Sequence, residues 1–158
     1  SSSIIEFGQI ETCDGDVHHE IELVLKIGDE GMPSHMALGL DLTKRSVQDH
    51  LKSNGLPWAE AKAFSGSAVI GDWLDYDHRA EYNLEINGKE VQRGSLKEMS
   101  WNPGELIGKL ATWAPIRKGD LLFTGTPAGV GPLMANDTVT ASLYIENKCI
   151  VSHTAQCV

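Results

Sequence analysis

Regular alternation of polar and apolar residues marks two early segments of the chain. Residues 17–27, VHHEIELVLKI, alternate throughout. One face would carry His19, Ile21, Leu23, Leu25 and Ile27, and the other His18, Glu20, Glu22, Val24 and Lys26. A period of two predicts a β-strand with a buried apolar face. Residues 35–42, HMALGLDL, predict a second strand, and the small Ala37 and Gly39 beside Asp41 suggest open space along one of its faces.

The helix predicted next begins directly after the second strand. Residues 43–55, TKRSVQDHLKSNG, place Val47 and Leu51 in an apolar stripe. Asp41 or Thr43 is the expected N-cap, and Gly55 suits the C-terminal cap. Pro57 then breaks the chain ahead of a short helical turn.

The remaining patterns predict strands and one more short helix. An Asn-Gly pair between alternating runs predicts a hairpin over residues 80–95. Pro103 opens a helix over 102–113, a strand runs through 118–127, and two strands follow within 137–155. Strands and helices do not alternate as in a doubly wound parallel sheet, so we expect a strand-rich α+β fold.

Length, charge and cysteine content narrow the class of protein. A chain of 158 residues suits a single domain spanning 1–158, and its net charge of −9 argues against nucleic acid as a partner. The three cysteines form no CxxC pair, as expected in a reducing cytoplasm. No apolar run or signal peptide predicts a membrane partner or export. A carboxylate substrate would therefore need a local cation.

Acidic residues on the two predicted strands form a candidate metal site. Glu20 and Glu22 leave one face of the first strand, with His18 beside them, and Asp41 ends the second. Three converging carboxylates repel one another unless a cation lies among them. Oxygen ligands favour Mg²⁺, Mn²⁺ or Ca²⁺ over zinc. The alternative is a polar strand face that contacts solvent.

Three further side chains are candidate substrate contacts. Lys62 lies in the apolar segment AEAKAF, either as a buried functional cation or with its ammonium extended to solvent. Arg45 and Gln48 stand three residues apart on the predicted helix, a spacing that suits a carboxylate clamp. The alternative for this pair is a solvated helix face.

The segment Leu121 to Leu133, LLFTGTPAGVGPL, looks like a phosphate-binding loop but lacks what one needs. Pro132 follows Gly131 at the position where a P-loop requires lysine. A dinucleotide-binding fingerprint must lie at the start of a helix, and Pro127 and Pro132 disfavour a helix here. A tight turn with backbone N–H groups and threonine hydroxyls remains, suited to one carboxylate. A purely structural loop is the alternative.

Five segments resemble the fumarylacetoacetate hydrolase superfamily and occur in the same order as there. The resemblance is to its small members that contain a fumarylacetoacetate hydrolase domain, and it spans nearly the whole chain. The five segments are HHEIEL, ALGLDLTKRSVQ, NGLPWAEAKAF, INGKEVQRG and KGDLLFTGTPAGVGPL. The resemblance implies a mixed β-sandwich roll, usually as a homodimer. It implies Mg²⁺ or Mn²⁺ at Glu20, Glu22 and Asp41, with Ca²⁺ as a further candidate.

The resemblance also implies roles for individual side chains. His18 and Lys62 match catalytic positions, Arg45 and Gln48 match substrate contacts, and Thr126 matches a threonine that holds the substrate carboxylate. The segment ALGLDLTKRSVQ departs from the family at Ser46, where the family usually has aspartate. Two connections are shorter than usual, and the family's upstream lid with a histidine–glutamate pair lies outside this sequence. We expect the full protein to carry more chain there.

The implied function is a divalent-metal-dependent hydrolase or decarboxylase of small 2-oxo acids, such as acylpyruvates, oxaloacetate and fumarylacetoacetate-like diacids. Its reaction would pass through a metal-stabilised enolate. An isomerase or tautomerase of 2-oxo or 2-hydroxymuconate-type diacids is the second hypothesis. A metal-binding assembly domain without catalysis is the third.

Overall fold

The computed structural model of the protein describes residues 3–158. Its strands are β1 (Ile4–Ile5), β2 (Gln9–Ile10), β3 (Val17–His19), β4 (Ile21–Ile27), β5 (Pro33–Asp41), β6 (Thr43–Lys44), β7 (Ala68–Ile70), β8 (Leu74–Asp75), β9 (Glu81–Ile86), β10 (Lys89–Ser95), β11 (Leu121–Phe123), β12 (Gly131–Pro132), β13 (Thr138–Ile145) and β14 (Lys148–Cys157). Its helices are α1 (Arg45–Ser53), α2 (Ala59–Lys62) and α3 (Pro103–Ala111). Short 3₁₀ segments cover Cys13–Gly15 and Asp29–Gly31.

Two large mixed sheets and one small sheet build the fold. The first has the order β1-β7-β5-β4-β11, with β8 also paired to β5. The second has the order β10-β9-β13-β14-β2, and the small sheet has the order β12-β3-β6. Most neighbours are antiparallel, whereas β1 with β7 and β14 with β2 are parallel. The predicted strand-rich α+β fold with mixed sheets is confirmed.

One apolar core joins the two large sheets. It includes Leu23 and Leu25 of β4, Leu84 of β9 and Leu143 of β13. The face of β4 predicted to be apolar is therefore the face that packs inward. A smaller cluster lies on the opposite face of the first sheet, around Val24, Ala37 and Ile70.

The predicted first strand is interrupted at Glu20. Residues before it form β3, which pairs with β6 and β12, and residues after it form β4, which pairs with β5 and β11. The chain thus changes partner sheets at Glu20. On the face for which solvent contact was the alternative to a metal site, Glu22 and Val24 are buried.

The second predicted strand is confirmed as β5, but the space expected beside it is filled. A Cβ atom placed on Gly39 would lie 2.4 Å from Cγ2 of Val24 and 3.1 Å from Cε1 of Phe123. The small residue at this position therefore admits neighbouring side chains rather than a ligand. The prediction of open space there is wrong.

Helix α1 has a different N-terminal cap from the one predicted. Lys44 is the N-cap residue and makes no side-chain cap bond, while Thr43 belongs to β6. Asp16, distant in sequence, accepts the Ser46 N–H at 2.7 Å through Oδ1. The expected capping by Asp41 or Thr43 is therefore wrong, because a residue from another segment supplies the acceptor. Gly55 has φ +65° just after the helix, as expected of a C-terminal glycine.

The turn and helix signals farther along the chain are confirmed. Asn87 and Gly88 have φ of 53° and 75°, the double positive φ of a type I′ hairpin turn. Asn102 and Glu105 form a capping box that starts α3 at Pro103. The strand predicted over 118–127 is shorter, limited to β11, and continues as an irregular loop. Among residues 3–158, no helix is long and apolar enough to cross a membrane.

Candidate active site

Three carboxylates meet where β3, β4 and β5 adjoin. Glu22 lies in β4 opposite Gly39, and Asp41 is the last residue of β5. The Asp41 N–H donates to the Glu20 carbonyl at 2.9 Å, which brings the end of β5 to the β3–β4 junction. One carboxylate oxygen from each of Glu20, Glu22 and Asp41 lies within 4.8 Å of the others. The sequence-predicted convergence is present.

Lys62 at the end of α2 links two of these carboxylates. Its ammonium donates to Glu20 Oε2 at 3.0 Å and to Thr43 Oγ1 at 2.6 Å, and its Nζ lies 2.7 Å from Asp41 Oδ2. The side chain is only 24% exposed. Lys62 thus sits inside the carboxylate cluster, which excludes the alternative of an ammonium extended into solvent.

Arg45 at the start of α1 connects three other candidate residues. Its guanidinium donates to Glu20 Oε1 at 2.6 Å, to Gln48 Oε1 at 2.6 Å and to His18 Nδ1 at 3.4 Å. This fixes the Gln48 amide so that its oxygen faces Arg45. The Gln48 Nε2 hydrogens have no acceptor within the described part of the chain. Gln48 therefore offers an oriented amide donor, and Arg45 orients it.

The three carboxylates differ in their electrostatic surroundings. Burial opposes ionisation of Glu20, but hydrogen bonds from Arg45 and Lys62 outweigh it and lower its pKa. Burial raises the pKa of Glu22 to about 7, and the charges of Asp41 and Glu20 add to this effect. Burial also raises the pKa of Asp41, although Lys62 opposes the rise. Glu22 is the carboxylate whose negative charge the surrounding side chains match least.

These residues fit a divalent cation of the Mg²⁺ or Mn²⁺ type. All three donors are oxygens, which hard cations prefer. Glu22 is 4% exposed, and its partner is the Gly125 N–H at 2.7 Å. It makes no salt bridge with any other residue of the described range 3–158. A buried carboxylate without a counter-ion is costly unless a cation compensates it.

His18 has a lowered pKa because it is partly buried and because Arg45 is close by. Its Nδ1 accepts the Arg45 Nε–H at 3.4 Å, so this nitrogen carries no proton in that arrangement. The structure places His18 next to the guanidinium rather than among the carboxylates.

The loop after β11 closes one side of the cluster. The Gly125 N–H binds Glu22, and the Thr124 hydroxyl donates to the Leu23 carbonyl at 2.7 Å. The Thr126 hydroxyl donates to the Ile21 carbonyl at 2.8 Å, so its hydrogen is used within the protein. The Thr126 backbone N–H has no acceptor among residues 3–158. A substrate contact by Thr126 would therefore use its N–H.

Gln92 in β10 holds this loop in place, a role that sequence reasoning did not assign to it. Its Oε1 accepts the Ile21 N–H at 3.2 Å and lies 2.8 Å from His19 Nδ1. Its Nε2 donates to Thr126 Oγ1 at 2.8 Å and to the Pro127 carbonyl at 2.9 Å. The available signal was its place in the segment INGKEVQRG, a polar residue within a hairpin strand.

His19 was assigned by alternation to an apolar face and is buried there. Burial lowers its pKa, whereas the Gln92 hydrogen bond opposes the shift. Because Gln92 offers its oxygen to Nδ1, the His19 ring is the tautomer with hydrogen on Nδ1. His19 and Gln92 together form a buried polar support beneath the site.

Comparison with known proteins places this geometry in a family. The family model described as fumarylacetoacetate (FAA) hydrolase C-terminal matches residues 1–155. The mitochondrial oxaloacetate tautomerase of Bos taurus is 31% identical over 82% of this chain and 65% of its own length. The fumarylpyruvate hydrolase of a Ralstonia species is 33% identical over 77% of this chain and 71% of its own.

A solved structure of a fumarylpyruvate hydrolase has the same fold as this chain. The fumarylpyruvate hydrolase from Pseudomonas aeruginosa, in complex with Mn²⁺ and pyruvate, superposes with a TM-score of 0.87 at 27% identity. The match covers 99% of this chain and 75% of that one. The chain thus spans about 65% of the length of the tautomerase and three quarters of this hydrolase. From the family match and the shared fold, the chain belongs to the fumarylacetoacetate hydrolase family, to whose C-terminal domain it corresponds.

Proposed function

We propose that this chain is the metal-binding catalytic domain of an enzyme that hydrolyses or decarboxylates small 2-oxo acids. The observation that carries the proposal is the convergence of Glu20, Glu22 and Asp41, with Lys62 placed among them. The names of the relatives, an oxaloacetate tautomerase and a fumarylpyruvate hydrolase, support the substrate class. The Mn²⁺ and pyruvate bound to the Pseudomonas hydrolase support a metal and a 2-oxo acid.

Glu20, Glu22 and Asp41 would hold the ion, with Mg²⁺ or Mn²⁺ as the first candidates and Ca²⁺ as a further one. When bound, a divalent cation supplies a Lewis acid for the carboxylate and 2-oxo oxygens of such a substrate. The protein's part is to present three ionised carboxylates. Glu22 must therefore release its proton before it can act as a ligand.

The side chains around the cluster would orient the substrate and move protons. The Gln48 amide and the Thr126 N–H are donors that suit a substrate carboxylate, and orientation of this kind lowers the barrier to reaction. Lys62 lies between Glu20 and Asp41, where its ammonium would stabilise negative charge developing on the 2-oxo oxygen or deliver a proton to C3. His18 would act through Arg45, which it contacts.

Two reactions share this arrangement. Hydrolysis of an acylpyruvate adds water across the C3–C4 bond and releases pyruvate and a carboxylic acid. Decarboxylation of oxaloacetate breaks the bond between C3 and its carboxylate, which releases CO₂, and C3 then takes up a proton to give pyruvate. Each leaves an electron pair at C3 that the 2-oxo group delocalises.

Tautomerisation or isomerisation is the second candidate, favoured by the oxaloacetate tautomerase among the relatives. It needs only a proton carrier, and Lys62 is placed to serve as one. A metal-binding domain without catalysis is the third candidate. It gives no reason for an amide donor and a lysine to border the same carboxylates.

Turnover by the full-length protein tests the proposal. Oxaloacetate, acetylpyruvate and a hydroxymuconate-type diacid would be supplied with Mg²⁺ or Mn²⁺, and then with chelator. We expect turnover that chelator abolishes and that Glu20→Ala reduces by at least about 100-fold. Glu60→Gln, at an exposed carboxylate of α2, is the control and should leave turnover unchanged.

The outcomes separate the candidates. Activity that survives both chelator and Glu20→Ala would refute a metal-dependent reaction. Metal binding without turnover of any 2-oxo acid would favour the non-catalytic domain. Interconversion of keto and enol oxaloacetate without loss of carbon would favour the tautomerase. We also propose that the protein is a homodimer, which sedimentation of the full-length protein would test.

A further inference from the structure

A cavity of about 290 Å³ adjoins the carboxylate cluster on the side of the loop after β11. Its lining includes Tyr82, Glu98, Met99, Trp101, Leu106 and Gly125. Gly125 belongs to both sites, since its N–H binds Glu22 at 2.7 Å while the residue lines the cavity. A ligand held at the carboxylates could therefore extend into this cavity.

The hydroxyl of Tyr82 reaches the cavity without a protein partner. Tyr82 is only 2% exposed and belongs to the main core. Its hydroxyl forms no hydrogen bond with the described residues, yet the oxygen is not enclosed. Gly94 on the neighbouring strand makes this possible, because a Cβ there would lie 2.8 Å from the Tyr82 hydroxyl oxygen. A donor directed into a cavity is available to an acceptor from outside the chain, either water or a ligand.

The Tyr82 hydroxyl is a donor at physiological pH. Burial raises its pKa to about 12, and the charges of Glu22 and Glu98 act in the same direction. The phenol therefore keeps its proton and suits a neutral or anionic oxygen acceptor.

The rest of the lining combines an apolar wall with serine and threonine hydroxyls and one negative charge. Met99, Trp101 and Leu106 supply hydrocarbon and aromatic surface, and Trp101 is 47% exposed. Glu98 adds a carboxylate that accepts the Ser95 hydroxyl at 3.1 Å. The described lining contains no lysine, arginine or histidine. Lys109, the nearest cation to this surface on α3, lies over the Trp101 ring at 4.6 Å from its centroid.

We propose that this cavity binds the distal acyl group of the substrate, with Tyr82 donating to the acyl carbonyl oxygen and the apolar wall selecting an uncharged aliphatic chain. Glu98 acts against substrates that end in a second carboxylate. The substrate class is then the acylpyruvates rather than the dicarboxylic 2-oxo acids. This inference rests on the proposed function, because it assigns the part of the substrate that does not contact the carboxylates.

A series of acylpyruvates tests the apolar wall in the full-length enzyme. Acetyl-, butanoyl- and hexanoylpyruvate would be compared by kcat/KM with Mn²⁺ present. Burial of each methylene is expected to raise kcat/KM by about fourfold until the cavity is filled. Trp101→Ala should flatten this dependence on chain length.

Two conservative variants test the polar groups. Tyr82→Phe should lower kcat/KM for acetylpyruvate by about tenfold, whereas Tyr144→Phe is the matched control and should not. Glu98→Gln should raise kcat/KM for oxaloacetate relative to that for acetylpyruvate by about fivefold. Glu60→Gln controls for the loss of a carboxylate elsewhere on the surface.

Three results would overturn the assignment. They are a kcat/KM independent of acyl length, an unaffected Tyr82→Phe variant, and a preference for oxaloacetate that Glu98→Gln does not strengthen. Each requires turnover of some 2-oxo acid, so these failures leave the proposed function intact. Absence of turnover with every 2-oxo acid, in a protein that binds Mn²⁺, would instead remove the proposed function and this inference with it.

Discussion

Glu22 should make the metal-free protein less stable as pH rises, and Glu22→Gln should remove that dependence. Its pKa in the folded protein is about 7 because the carboxyl is buried beside Asp41 and Glu20, against an ordinary value of 4.5. Protonated Glu22 therefore favours folding below the unfolded-state pKa. This contribution is lost as pH rises from about 4.5 through 7. Glutamine is uncharged and can still accept the Gly125 N–H, so the variant lacks this titration.

The two pKa values determine the size of the effect. The full difference between about 7 and 4.5 corresponds to roughly 3 kcal/mol of unfolding free energy. About 2.5 kcal/mol of it falls between pH 5 and pH 8. The free energy of unfolding of Glu22→Gln minus that of wild type should increase by this amount over that interval.

Urea unfolding at pH 5 and pH 8 with chelator present measures this difference. His18 and His19 also have lowered pKa values, but they are common to both proteins and cancel in the comparison. Glu60→Gln serves as the control and should differ from wild type equally at both pH values. Saturating Mn²⁺, at 100 times its Kd, should stabilise wild type by about 2.7 kcal/mol and the Glu22 variant by less.

An equal stability difference at pH 5 and pH 8 would refute the reasoning. It would mean that Glu22 titrates near its ordinary pKa, with its charge already compensated in the metal-free protein. The unbalanced negative charge of Glu22 would then no longer support the proposal that it binds a cation.

Three further outcomes are expected. Mn²⁺ affinity, measured by calorimetry, should fall by about tenfold per pH unit below 7, because Glu22 must lose its proton to bind; a flat affinity between pH 5.5 and 7 would contradict this. Gln92→Leu should lower the unfolding free energy by about 2–3 kcal/mol, because the buried His19 Nδ1 and Ile21 N–H lose the Gln92 oxygen as their acceptor. Chemical denaturation would show a smaller loss if water replaces that oxygen. Gly129→Ala should lower the unfolding free energy by at least about 2 kcal/mol. Gly129 has φ +106°, and a Cβ atom there would lie 2.1 Å from the Val91 carbonyl oxygen. An unchanged melting temperature would show that the loop readily shifts.

Local patterns in the sequence were sufficient to predict most of the strands, helices and turns. Alternation over 17–27 identified the face of β4 that packs into the core, and Asn-Gly at 87–88 identified the β9–β10 turn. Pro103 predicts the start of α3, and the helix begins at that residue in the structure. Each of these features depends on residues a few positions apart, so the sequence alone contains them.

Part of the candidate site was also predictable. Glu20, Glu22 and Asp41 share strand faces that alternation reveals, and Arg45 with Gln48 follows from helical spacing. Their partners could not be found in this way. Asp16 caps α1 across a distance that no local rule covers, and Gly39 proved to be closed off by Val24 and Phe123.

The sequence by itself determined which segments are strands and helices, and which acidic and basic side chains share a face, because those follow from backbone periods of 2 and 3.6 residues. Only the tertiary structure decided that Lys62 lies between Glu20 and Asp41, that Gln92 binds His19 from 73 residues away, and that Tyr82 directs its hydroxyl into a cavity. These contacts join segments that are far apart in the sequence. How those segments pack is a property of the whole fold rather than of any single segment.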